Sequence, residues 1–217
     1  MNIREVPWAK DELRSRGITM VPATVTANGH VHGWNPAALA ELVGFDYDPT
    51  PALAPPEILA RIDGILDVAD SFAQGASAAE LAIEHPRRKR TLGHLLHHIA
   101  RVSTAFADAV DEGFLRQEWL EEPLPEGMDG AGLAEYIRQS RERMKSHAAS
   151  RDAASYAENQ ETYYGAQTRH QLLERTAWHA GQHLRQAHDL LSTVRTSGLP
   201  PLPEALFAGL PMPKKLW

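Results

Sequence analysis

Two histidines four residues apart, His179 and His183, stand in the segment Thr176-Ala177-Trp178-His179-Ala180-Gly181-Gln182-His183-Leu184-Arg185-Gln186. On a helix, positions i and i+4 share one face, so two neutral imidazoles could grip one divalent ion from a single rigid element. An apolar stripe runs through Leu172, Thr176, His179, His183, Ala187 and Leu190, which puts both rings on the buried side. A buried imidazole needs partners for its nitrogens. A metal would serve, and so would other core side chains or water. Upstream lie His94, His97 and His98. His98 falls beside Leu95, Ile99 and Val102 on a second buried stripe, His94 sits one turn earlier, and His97 points further aside. Three protein ligands with one open position describe a catalytic zinc-type centre. His98, His179 and His183 would supply that set from two facing helices. His94 as a fourth ligand would close the sphere and suit a structural site. The other histidines (His30, His32, His85, His147, His170 and His188) fall on a solvent-facing strand, in a loop, near helix ends or off the buried stripe.

Two long helices must therefore carry the site, and the chain contains four helical patterns. The first runs from Pro56 to about Gln74 with Ile58, Ile62, Ile65, Leu66, Ala69 and Phe72 at helical spacing. The second starts after Thr91, a good N-cap, and ends at Gly113. The third spans about Leu133 to Ala149, strongly charged with a narrow apolar stripe. The fourth runs from about Thr168 to Val194. Residues 56–198 thus predict a four-helix bundle with ligand chemistry in its core, and residues 199–217 a tail packing on it. The basic run Arg87-Arg88-Lys89-Arg90 reads as a solvated loop; it opposes the helix dipole that follows and could meet an anionic group.

The first 45 residues differ in character. Pro7 to Gly17 predicts a short helix capped by Gly17. Ile18 to Thr26 reads as a strand interrupted by Pro22. Asn28-Gly29 is a hairpin pair, His30-Val31-His32 the returning strand, and Asn35-Pro36 the start of a helix ending at Gly44. Two short strands and two short helices bury too little to stand alone, so they should pack on the rest of the chain or pair with another subunit; a homodimer is expected. Residues 46–55 are a proline-rich linker.

Bulk properties bound the function. The 217 residues are 43% hydrophobic and 23% charged, as in an ordinary soluble globular protein. A net charge of -6 argues against nucleic acid as a partner. No apolar run has the length of a membrane span, and the first residues do not read as a secretory signal, so a cytoplasmic location is expected. There are no cysteines, which removes disulfides, thiolate ligands and cysteine nucleophiles.

Two segments resemble known families. Gly17-Ile18-Thr19-Met20-Val21-Pro22 through Gly33-Trp34-Asn35-Pro36 to Leu42 resembles the C-terminal half of a glutaredoxin, without that family's first strand, first helix or Cys-x-x-Cys. The resemblance implies a thiol-binding corner at Val21 and Pro22, taking glutathione or a related small thiol. Residues 56–217 resemble the DinB/YfiT-like four-helix-bundle metalloproteins. Thr91-Leu92-Gly93-His94-Leu95-Leu96-His97-His98-Ile99 matches their second-helix motif, and Trp178-His179-Ala180-Gly181-Gln182-His183 their fourth-helix Trp-His-x-x-x-His. The resemblance implies that His98, His179 and His183 are metal ligands. Where the family commonly has an acidic residue, this chain has His94.

The fold class that follows is mainly α: a DinB-like bundle with a small N-terminal α/β, half-glutaredoxin appendage. The implied cofactor is a divalent metal ion, zinc or nickel first. The implied function is a metal-dependent, low-molecular-weight-thiol-dependent transferase or isomerase, with a small-molecule thiol and an electrophile as partners and no nucleic acid or membrane. Two alternatives stand beside it: a metal-dependent hydrolase using metal-bound hydroxide, and a non-enzymatic metal-stabilised binding or dimerisation module. Tyr163, Tyr164 and Gln186 are possible substrate-orienting groups, and no acidic residue stands out as a general base.

Overall fold

A computed structural model describes residues 6–19, 21, 23–33, 35–85, 88–195 and 199–216. The chain divides into two compact units, Met1–Thr50 and Pro51–Trp217.

In the first unit, α1 (Pro7–Ser15) leads to a hairpin of β1 (Ala23–Thr26) and β2 (Gly29–His32), followed by α2 (Pro36–Val43). Gly17 (φ +69°) and Gly44 (φ +71°) hold the left-handed conformations that end the two helices. The Asn35 side chain accepts from the Ala38 N–H at 3.1 Å and caps α2. The expected strand from Ile18 shortens to β1. The hairpin turn also moves by one residue. Thr26 pairs with Gly29, so Ala27 and Asn28 form the turn and Gly29 opens β2. Thr26 Oγ1 accepts the Asn28 N–H at 3.1 Å, a local side-chain bond that competes with the expected Asn-Gly turn. Met20, Pro22 and Trp34, which carry much of the glutaredoxin resemblance, lie outside the described residues.

The second unit is built on four long helices. Helix α3 (Pro55–Gln74) is followed by a single turn, α4 (Ala78–Leu81), then by β3 (Glu84–His85), β4 (Arg88–Thr91) and α5 (Leu92–Glu112). Next come β5 (Phe114–Leu115), α6 (Gln117–Leu120), α7 (Gly130–Ala149), a 3-10 turn at Ala153–Ala157, β6 (Asn159–Thr162), β7 (Gln167–Thr168) and α8 (Arg169–Ser192). A second 3-10 turn, Glu204–Leu206, lies in the tail. Helices α3 and α5 each pack against both α7 and α8, and the most extensive of these contacts joins α5 to α8. Helices adjacent in sequence, α3 with α5 and α7 with α8, therefore stand mostly on diagonals. Those two connections carry β3 and β4, and β6 and β7, while β5 follows α5 directly; a diagonal step needs more chain than a tight turn.

Helix α5 is the centre of the bundle. Its expected stripe of Leu92, Leu95, Ile99, Val102, Phe106 and Val110 is buried. So are the positions between, including Gly93, Ala100, Ser103, Ala105 and Ala107. Small residues on the remaining faces let several neighbours approach at once, so α5 is covered nearly all round. Fully burying Phe106 or a leucine contributes roughly 1.5–3 kcal/mol each relative to exposure.

In the basic run Arg87 lies outside the described residues, and Lys89 and Arg90 are exposed as expected, but in a strand rather than a loop. Arg88–Thr91 is β4, paired antiparallel with Glu84–His85. Pairing supplies ladder partners to backbone groups that a loop would leave to water. The segment before α8 likewise forms β6 and β7, and β5, from just after α5, joins that sheet parallel to β6. The tail packs on the bundle: Leu210 is buried in the core, and Leu206 and Phe207 pack against it.

Candidate metal centre

The Thr91 hydroxyl accepts the His94 N–H at 3.2 Å, which fixes the first turn of α5 and places His98 one turn further on. Helix α8 begins with a reciprocal cap. Thr168 Oγ1 accepts the Gln171 N–H at 3.1 Å, and Gln171 Oε1 accepts the Thr168 N–H at 2.8 Å. From that start His179 and His183 follow at helical spacing. Close packing of α5 on α8 brings His98 to them.

One ring nitrogen from each of His98, His179 and His183 lies within 4.8 Å of the other two. The Nε2 atoms of His98 and His179 are 3.3 Å apart. Two imidazole nitrogens on a tetrahedral zinc at about 2.0–2.1 Å stand roughly 3.3 Å from each other, so that separation already suits a shared ion. The rings meet edge to face: His98 and His183 centroids are 4.8 Å apart at 76°, His98 and His179 5.1 Å apart at 70°. His183 is buried and the other two are partly covered. Burial drives both toward the neutral form. The His98 pKa is lowered to about 2, first by loss of water and then by the neighbouring His183 and Arg90. His179 is lowered well below its ordinary value for the same first reason, with His183 and His98 next. Neutral imidazole is the form that offers a lone pair to a metal. The donor set therefore fits a borderline divalent ion.

Of the three histidines, His98 lines a cleft of about 320 Å³. Lys89, Arg90, His94 and His98 line it from β4 and α5, and Glu121 and Glu122 from the segment after α6. Arg90 Nη1 stands 3.4 Å from His183 Nε2. Glu122 is held by Arg101, whose Nε donates to its carboxylate at 2.6 Å and whose Nη1 donates to Asp108 at 2.9 Å. The Arg101 guanidinium also lies 5.6 Å from the Trp119 ring centre. Arg101 thus ties the cleft wall to α5.

His97 does point aside from the cluster; it is buried and stacks on Tyr136 at 4.9 Å and 15°, joining α5 to α7. His94 is exposed, and its Nδ1 lies 2.8 Å from Thr91 Oγ1. Among the described residues, no fourth His, Asp or Glu joins the cluster. Gln186 faces His183, with its Oε1 2.7 Å from Nδ1. Tyr163 accepts from Arg175 at 3.3 Å, and the Arg175 guanidinium lies over the buried Tyr164 ring at 4.2 Å. Arg101 and the acidic pair Glu121-Glu122 were not singled out from sequence, and Arg90 only as part of the basic run. Their only signals were a basic run ahead of a helix cap and an arginine on an otherwise apolar stripe. Val21 is 51% exposed, and Pro22 lies outside the described residues.

The family model of the DinB superfamily matches residues 61–187, which takes in all three histidines of the cluster. The chain belongs to the DinB superfamily. The match does not extend into the first unit. No curated protein matches the chain. Membership agrees with the helical bundle and with a histidine triad able to hold a metal ion. Among the described residues no helix is long and apolar enough to cross a membrane.

Proposed function

We propose that this DinB-superfamily chain is a metal-dependent enzyme using a low-molecular-weight thiol as co-substrate, a transferase or isomerase acting on an electrophilic small molecule. The observation that carries this reading is the convergence of three imidazoles, one of which, His98, lines a cleft, with His94 turned away into the Thr91 cap. A divalent ion held by His98, His179 and His183 would lower the pKa of a thiol and polarise an electrophilic carbonyl. The protein's own groups would do the rest. Arg90 and Arg175 add positive potential at His179, which favours an anionic thiolate over the neutral thiol. Lys89 and Arg90 at the cleft wall would orient a carboxylate of the thiol or of the electrophile. Because the chain has no cysteine, the thiol must come from solution. The glutaredoxin-like corner at Val21 and Pro22, as a contact for such a thiol, rests on the sequence resemblance, and so does the expected homodimer on the small size of the first unit.

Glu121 favours a second reading. It lines the cleft and could serve as general base for water in a metal-dependent hydrolase. The two readings separate in one assay. The zinc- and nickel-loaded protein is scanned with glutathione, bacillithiol and mycothiol against a chloronitroarene, beside ester and amide substrates without thiol. A thiol-dependent rate that disappears in His98→Ala, His179→Ala and His183→Ala is the expected result. Cleavage independent of thiol would assign the hydrolase. Stoichiometric metal in all three alanine variants would remove the centre itself.

A further inference from the structure

The C-terminal tail reaches back to His183 through one side chain. Gln186, one turn beyond His183 on α8 and 5% exposed, has both ends of its amide engaged. Its Nε2 donates to the Leu216 carbonyl at 3.0 Å. Its Oε1 lies 2.7 Å from His183 Nδ1. A backbone carbonyl can only accept, so the amide nitrogen must face Leu216 and the amide oxygen must face the histidine. That oxygen is also acceptor-only, so His183 Nδ1 must carry the proton. The lone pair is then left on Nε2, the nitrogen beside Arg90. The tail that supplies this carbonyl is itself pinned to α8. Gln182 Nε2 donates to the same Leu216 oxygen at 2.6 Å, and Arg185 Nη1 donates to the Pro213 carbonyl at 2.8 Å.

We infer that Gln186 is a positioning residue for the metal ligand His183, and that the backbone carbonyl of Leu216 sets its orientation, so that the tail is part of the metal centre. The inference rests on the metal reading above, and it concerns a relay that tertiary packing creates between residues 30 positions apart. Outer-shell partners of this kind fix the tautomer and ring orientation of a ligating histidine and typically change metal affinity by about 10–100-fold when lost.

The test uses the full-length chain in four forms: wild type, Gln186→Met, Gln186→Glu and the pair Gln182→Ala with Arg185→Ala. Zinc affinity is measured by competition with a chromogenic chelator. The tautomer of His183 is read in the metal-free protein by nitrogen-15 NMR, and helix content by circular dichroism confirms folding. Gln186→Met, similar in length but without hydrogen bonds, should weaken zinc binding by about 10–100-fold and release His183 from the Nδ1-protonated tautomer. Gln186→Glu still accepts from Nδ1 but cannot donate to the Leu216 carbonyl; it should keep the Nδ1-protonated tautomer and bind zinc more tightly than Gln186→Met. The double variant leaves Gln186 in place but frees the tail, and should shift affinity in the same direction by a smaller factor. Unchanged affinity and tautomer in Gln186→Met would overturn the inference, as would equal losses in Gln186→Met and Gln186→Glu, which would mark a packing role. An unchanged double variant would take the tail out of the centre. If wild type itself takes up no zinc, the metal reading fails, while the tautomer comparison still decides the contact.

Discussion

At a protein surface an imidazole changes charge near neutral pH; in this cluster loss of water holds His98 and His179 neutral. The two uncharged rings can approach as closely as they do here without charge repulsion, and their lone pairs remain available. Three protein ligands leave a fourth position on a tetrahedral ion. His94 belongs to the same helix turn as the site, but its ring is committed to Thr91 Oγ1 and is exposed. His94→Ala should therefore keep wild-type metal stoichiometry by plasma emission analysis and change stability by no more than about 0.5 kcal/mol, as expected for an exposed position. A loss of metal would make His94 a ligand and the sphere closed.

Helix placement decides whether the three rings can meet, and two close approaches maintain it. Gly130, the first residue of α7, lies against the backbone at the end of α3. A Cβ there would fall 2.6 Å from both the Ala73 and the Ala76 carbonyl oxygens. Gly130→Ala should lower stability by about 1–3 kcal/mol through this overpacking, measured by urea denaturation. The short helix α4 is tied to the region after α8 by Glu80, which accepts from Arg195 Nε at 2.8 Å and from the Ser77 N–H at 2.8 Å. The Arg195 hydrogen bond, followed by that from the Ser77 backbone, lowers the Glu80 pKa from 4.5 to about 2. A carboxylate whose pKa is depressed on folding stabilises the protein above its unfolded value. That contribution is lost as pH falls from 4.5 towards 2. Thermal melts of wild type and Glu80→Gln should thus differ at neutral pH, with wild type the more stable, and should converge across that acid window. A constant gap would show that the charge of Glu80 is not what stabilises the contact.

The two units of the molecule have unequal cores. In the first, the buried apolar residues among those described are Ala9, Ile18 and Ala40, while Trp8, Val43 and Phe45 are more than half exposed. The second holds the whole contiguous core, from Ile58 to Leu210. Because burial of apolar area is the main driving force for folding, residues 51–217 by themselves should melt cooperatively and take up metal with the stoichiometry of the full chain. Residues 1–50 alone should show no cooperative transition by calorimetry. If the larger piece fails to fold, the first unit contributes to its stability.

Local signals were sufficient for the long elements. Helical periodicity with Thr91, Gly113 and Thr168 marked α5 and α8 to within a residue or two, because caps and glycines act over a single turn. The spacing of His179 and His183 likewise put both on one face before any packing was known. The short strands β3 to β7 were not legible: strands of two to four residues have no period to read, and pairing with a distant segment makes them. His97 was rightly set aside from the cluster, but its stacking on Tyr136 was not legible because that partner comes from another helix. Gln186 was noticed, but not as the link between His183 and the tail. Residue types and helical spacing are properties of neighbouring positions, and the sequence contains them in full. Which ring nitrogen meets which, what closes the cleft and which carbonyl orients a glutamine depend on segments far apart in the chain, and only their packing around α5 brings those segments together.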